Sequence, residues 1–149
     1  MFWQDAVIQI FMSAIASAGF AVFYRVPPSE YLVCGLGGAT CWAVYIYTQA
    51  FGVKESFAVF LAAVSVSILS RFLAERRKCP VTVFLVASIF PLVPGAYIYY
   101  TVYYLLNSQS ELSRLNFERT FTTAVAIAFG IMLVTSFPSI RKRIGRKKQ

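Results

Sequence analysis

Residues 81–106 read VTVFLVASIFPLVPGAYIYYTVYYLL, a run of 26 residues without a charged side chain. About 20 mainly apolar residues suffice to cross a hydrocarbon core of about 30 Å as a helix. The sequence Pro91-Leu92-Val93-Pro94-Gly95 interrupts this run, with 12 residues before Val93 and 13 after it. The run therefore predicts a transmembrane helix that is broken near the middle of the bilayer.

Four more apolar segments flank this run, at residues 6–24, 31–51, 57–73 and 120–137. Polar stretches separate the segments, including a polar connection from Asn107 to Arg119. Charged residues make up 13% of the chain, about half of their usual share in a soluble domain. The sequence therefore predicts an all-α, polytopic membrane bundle of five transmembrane helices over residues 1–140, the fourth broken at Pro91 to Gly95.

The distribution of Lys and Arg predicts the orientation of the bundle, because short loops rich in these residues stay in the cytoplasm. With the N-terminus outside, three cations lie on the outer side of a five-span bundle: Lys54, Arg114 and Arg119. The other side collects the remaining eleven of the 14, which are Arg25, Arg71, Arg76, Arg77, Lys78, Arg141, Lys142, Arg143, Arg146, Lys147 and Lys148. We therefore expect an integral, multi-pass protein of the cell membrane with a basic cytoplasmic tail at residues 141–149.

Residue types and charge placement exclude several other classes of function. The formal net charge of +8 does not indicate a nucleic-acid binder, because the cations form short clusters that flank apolar runs. The chain has no His, and its three Cys form no Cys-x-x-Cys pair, so no metal site is indicated. No pair of nucleophile and base is visible either. We therefore expect no enzyme activity, no cofactor and no metal.

The break in the fourth span is a candidate binding site because its backbone loses hydrogen bonds. Pro91 and Pro94 have no N–H groups for the carbonyls of Ala87 and Phe90, and unpaired backbone at membrane depth is tolerated only inside protein or beside a watery cavity. A second half-helix beginning near Gly95 would direct free N–H groups and its positive dipole end at the break. Transporters hold substrate carboxylates in this way. The alternative is a proline kink that only shapes the bundle.

Two further patterns have two interpretations each. Tyr97 belongs to a row of tyrosines after the break, which either offers hydroxyls to a substrate or forms an interfacial belt. Small residues recur every four positions, as at Thr122, Ala126 and Gly130, and this spacing predicts either close helix packing or the lining of a polar route. In an oligomer, such packing faces would also serve partners. Because almost no ionisable group is expected inside the spans, the chain alone has an incomplete route for transport, and we expect an oligomer.

Three stretches resemble the threonine/serine exporter family, and within it the small subunit of the two-component form. They are VFYRVP at 22–27, Arg71 followed by Pro80, and PLVPG at 91–95, within a resemblance that covers roughly residues 6–137. The resemblance implies export of small carboxylate-bearing metabolites, either threonine/serine-like amino acids or dicarboxylates. It also implies a larger membrane subunit of the same family as the partner.

Carried onto this chain, the motif marks Pro91, Pro94 and Gly95 as substrate-binding residues, with Tyr97 and Arg71 as further candidates. The residues and the resemblance both favour a membrane subunit of a secondary exporter that acts with a second membrane subunit. The alternative is a non-transporting scaffold or assembly subunit, in which the broken helix only creates a docking surface.

Overall fold

The computed structural model describes residues 2–137, and the tail predicted at 141–149 lies outside them. Within the described residues the chain forms helices joined by short turns, without a strand. The helices are α1 (Phe2–Phe23), α2 (Tyr31–Ala50), α3 (Glu55–Arg77), α4 (Val81–Ile89), α5 (Gly95–Leu106) and α6 (Ser110–Ser136). Single turns of 3₁₀-helix lie at Pro28–Glu30 and Phe90–Leu92.

Four of these helices, α1, α2, α3 and α6, are long and apolar enough to cross a membrane. A fifth span results if Val81–Leu92 and Gly95–Leu106 are counted together, with a bend of 49° between them. Large apolar side chains point outward, as at Leu32 (82% exposed), whereas the interior is built mainly from Ala, Ser, Gly and Val. The prediction of an all-α membrane bundle whose fourth span is broken at Pro91 to Gly95 is confirmed.

The polar connection predicted from Asn107 to Arg119 is wrong, because α6 begins at Ser110. Its first turns are polar yet helical, since Arg114 forms ion pairs with Glu111 three residues before it and Glu118 four residues after it. Pairs at these spacings lie on one face of a helix and stabilise it. These polar residues therefore belong to a helix that begins well before its apolar segment.

Small residues let the helices approach closely within the chain. Ser13 of α1 donates a hydrogen bond to the carbonyl of Gly38 in α2 at 2.9 Å. Gly130 of α6 is buried against α3, where a Cβ atom at Gly130 would lie 2.7 Å from the Cβ of Ala63. The small-residue spacing around Gly130 thus serves packing inside the bundle, one of the two interpretations that the sequence allowed.

The break lies near the middle of the bundle's height. Leu92, the last residue of the 3₁₀ turn, packs in one apolar cluster with Cys41, Ala62 and Val66. Val66 is the middle residue of the 23-residue helix α3, and Ala62 lies one turn before it. From this level α5 pairs with the first half of α6, where the Ser113 hydroxyl donates to the carbonyl of Thr101 at 2.8 Å.

Candidate functional site

The broken backbone recovers some of the hydrogen bonds that its prolines remove. Val93 donates its N–H to the carbonyl of Phe90 at 3.0 Å, and Gly95 donates its N–H to the carbonyl of Val93 at 2.7 Å. In a 3₁₀ turn a carbonyl accepts from the N–H group three residues later, whereas in an α-helix it accepts from the N–H group four residues later. The expectation that the carbonyl of Phe90 lacks a partner is therefore wrong, and the N–H of Gly95 is not free.

Free donors lie one and two residues further along, in the first turn of α5. The N–H of Ile98 is the first to bond in the helical manner, to the carbonyl of Pro94 at 3.0 Å. The N–H groups of Ala96 and Tyr97 therefore have no helical acceptor, and no side chain within residues 2–137 caps this end. A Cβ atom at Gly95 would meet nothing within 4 Å, so there is open space beside the first residue of α5.

A cavity of about 270 Å³ lies beside the break. Four of the five predicted site residues line it, namely Pro91, Pro94, Gly95 and Tyr97. Its other walls come from three further helices, through Trp42 and Tyr45 of α2, Glu55 and Val59 of α3, and Thr123 of α6. The fold thus encloses the break on several sides with aromatic, hydroxyl and carboxylate groups.

Arg71 is not brought to this cavity. It follows Val59 on α3 by 12 residues, which is about 18 Å along the helix axis. Its guanidinium donates through Nη1 to the carbonyl of Val134, in the last turn of α6. A cation that bonds the last carbonyls of a helix stabilises that helix end. The structure therefore gives Arg71 a structural contact at the end of α6, away from the cavity.

Glu55 is a residue of the site that the sequence did not indicate. It is half-buried in the first turn of α3, and the Tyr97 hydroxyl donates a hydrogen bond to its Oε1 atom at 2.8 Å. The Arg119 side chain covers Tyr97, with its guanidinium carbon 5.7 Å from the centre of the ring. An acidic residue just before an apolar run is a helix-start signal, and it could have placed Glu55 on α3.

The tyrosines after the break divide between the two interpretations. The Tyr97 hydroxyl is bound inside the cavity region, whereas Tyr99 is 62% exposed and Tyr103 48% exposed. The rings of Tyr99 and Tyr103 stack on each other with centroids 6.1 Å apart. Tyr97 therefore belongs with the candidate site, and the exposed pair fits an outward-facing belt.

A second acid, Glu30, is buried at the end of the bundle opposite Glu55. It is 6% exposed, and its Oε1 atom lies 3.3 Å from Nη1 of Arg77 at the end of α3. Its Oε2 atom is buried without a hydrogen-bond partner among the described residues. Both acids lie at the ends of spans, outside the apolar segments drawn from the sequence, and the sequence did not indicate that Glu30 is buried there.

Comparison with known proteins relates the chain to a family of exporters. Residues 9–137 match a family model described as threonine/serine exporter, ThrE. The chain is 28% identical over 131 residues to a protein of Corynebacterium glutamicum named threonine/serine exporter, a match that covers 88% of this chain and 27% of that protein. It is also 26% identical over 99 residues to an uncharacterized protein of Haemophilus influenzae, covering 66% of this chain and 33% of that protein. The chain spans about a quarter to a third of these relatives' length, and no solved structure matches it.

Proposed function

Because the chain belongs to the threonine/serine exporter family, we propose that it is the small subunit of a secondary exporter for carboxylate-bearing metabolites, either threonine/serine-like amino acids or dicarboxylates. It acts in the cell membrane as part of an oligomer with a larger membrane subunit of the same family. In this proposal it is a transport protein and not an enzyme. Residues 1–140 form one membrane-embedded unit, and the tail at 141–149 lies in the cytoplasm.

The observation that carries the proposal is the cavity at the break, with the open first turn of α5 in its wall. The free N–H groups of Ala96 and Tyr97 can donate to a substrate carboxylate, and the dipole of α5 adds about 0.3–2 kcal/mol. Hydrogen bonds to an ionised acceptor are stronger than those between neutral groups. Gly95 leaves the approach open because it has no side chain.

Two observations support a second subunit. The Corynebacterium glutamicum relative is nearly four times as long as the stretch that it shares with this chain, so further protein accompanies that stretch there. In addition, α5 has no buried residue although it forms one wall of the cavity. A larger subunit that covers α5 would close the cavity on its exposed side.

Flux measurements on reconstituted vesicles test the proposal. Vesicles contain this chain, the larger family subunit from the same organism, both, or neither, and are loaded with labelled threonine, serine or succinate. We expect efflux above the empty-vesicle rate only where both subunits are present. A Gly95→Leu subunit should assemble and fail to transport, whereas Gly19→Leu, on an exposed face of α1 with open space around it, should transport normally.

The same vesicles distinguish the scaffold alternative. If the larger subunit alone transported at the full rate, or if Gly95→Leu transported as well as the unchanged protein, the cavity at the break would not be the substrate site. The chain would then serve assembly only.

A further inference from the structure

The cavity at the break contains an acidic side chain that forms no ion pair with a Lys or Arg of the described residues. Glu55 is the acidic residue among those that line it. Among the described residues, no Lys or Arg nitrogen lies within ion-pair distance of its carboxylate. The Arg119 guanidinium contacts Tyr97, which donates to the carboxylate, and forms no ion pair with Glu55 itself. A half-buried carboxylate that has no direct ion-pair partner can bind a cationic group.

The hydrogen bond from Tyr97 fixes how this carboxylate is presented. Tyr97 donates to one oxygen, Oε1, at 2.8 Å, which leaves the lone pairs of the second oxygen for another donor. Tyr97 also belongs to the first turn of α5, so Glu55 is tied to the wall that carries the break. The carboxylate of α3 and the backbone of α5 are therefore held next to each other by a direct contact.

We propose that Glu55 determines the charge selectivity of the cavity by binding the protonated amino group of a zwitterionic amino acid, with Tyr97 as the positioning residue. The inference rests on the proposed function, in which the first turn of α5 holds the substrate carboxylate. In an α-amino acid a single carbon separates the ammonium from the carboxylate, so both groups are accommodated in one small cavity. A dicarboxylate would bring its second negative charge to Glu55, and like charges in a poorly solvated site repel strongly.

A matched pair of substrates tests this role, because 3-hydroxybutyrate is threonine without its amino group. Vesicles containing both subunits are assayed for efflux of threonine, 3-hydroxybutyrate and succinate. The unchanged protein should transport threonine in preference to the other two. A hydrogen bond to a charged group corresponds to about a ten- to hundredfold effect on binding. Glu55→Gln should therefore lower threonine transport at low concentration by about that factor and leave 3-hydroxybutyrate unaffected or improved.

Glu111→Gln is the control, since this carboxylate is 83% exposed in the first turn of α6 and lies outside the cavity. It should transport all three substrates like the unchanged protein. Tyr97→Phe should raise the KM for threonine and leave the KM for 3-hydroxybutyrate unchanged. If Glu55→Gln fails to assemble, this second variant tests the role of Glu55 in its place.

The outcomes separate the two proposals. Equal losses for threonine and 3-hydroxybutyrate in Glu55→Gln, or a preference of the unchanged protein for succinate, would overturn the role of Glu55 and leave the exporter intact. Absence of flux for every substrate with both unchanged subunits would overturn the exporter proposal, and this inference with it.

Discussion

Replacing Gly130 with Ala should loosen the contact between α3 and α6. The added Cβ would lie 2.7 Å from the Cβ of Ala63 and 3.1 Å from the carbonyl oxygen of Phe60. Carbon atoms pack at about 3.5–4.0 Å, so the two helices must move apart by about 1 Å. Neither neighbour can yield, because Ala63 has no side-chain rotamer and the Phe60 carbonyl is part of the helix backbone.

The size of the effect follows from a comparison with Gly19→Ala. Gly19 lies within α1 on an exposed face, and a Cβ there would meet nothing within 4 Å. Both changes gain about 0.8–1.0 kcal/mol of helix propensity, which cancels in the difference between the two variants. Overpacking costs about 1–3 kcal/mol. Gly130→Ala should therefore be about 1–3 kcal/mol less stable than Gly19→Ala.

Unfolding of the purified variants in mild detergent, titrated with dodecyl sulfate and followed by circular dichroism, measures this difference. Co-purification with the larger subunit is recorded in parallel. Equal stability of the two variants, together with a loss of co-purification in Gly130→Ala alone, would refute the reasoning. Gly130 would then face a partner rather than α3.

Three further predictions concern the break and the orientation. Gly95→Ala should preserve stability, since its Cβ meets open space, whereas Gly95→Leu fills part of the cavity of about 270 Å³ and should abolish export while assembly continues. Replacing both Pro91 and Pro94 with Ala should let the helix close and move Tyr97 away from Glu55, so that insertion and stability are retained and export is lost; normal flux would contradict the broken-helix mechanism. Cys79 is half-exposed whereas Cys34 and Cys41 are buried, so an impermeant maleimide should label the protein in inverted vesicles; labelling of intact cells at Cys79 would reverse the predicted orientation.

The break itself was predictable from the sequence because proline acts locally. Pro91 and Pro94 remove N–H groups wherever they occur, so the interruption lies at the residues where the sequence places it. The details depend on the geometry of the turn. The i to i+3 bond from Val93 to Phe90 satisfies a carbonyl that a count of missing donors leaves unpaired.

The length of α6 was not predictable from hydropathy alone. The apolar segment begins at Thr120, but the helix begins ten residues earlier, at Ser110. Ion pairs of Arg114 and packing against α5 stabilise these polar turns, and neither contributes to an apolar average. The sequence does place opposite charges three and four residues apart, at Glu111, Arg114 and Glu118. This spacing indicates a helix, whereas the polar composition alone indicates a loop.

The remaining walls of the cavity depend on contacts between residues that are distant in the chain. Tyr97 and Glu55 are 42 residues apart, and only the packing of the helices brings them together. Helix geometry nevertheless limits which charged residues of α3 can take part. Once Val59 is known to line the cavity, Glu55 lies one turn away on the same helix face, whereas Arg71 lies about 18 Å along the axis. A single tertiary contact therefore selects Glu55 over Arg71, although of these two residues the sequence resemblance marked only Arg71.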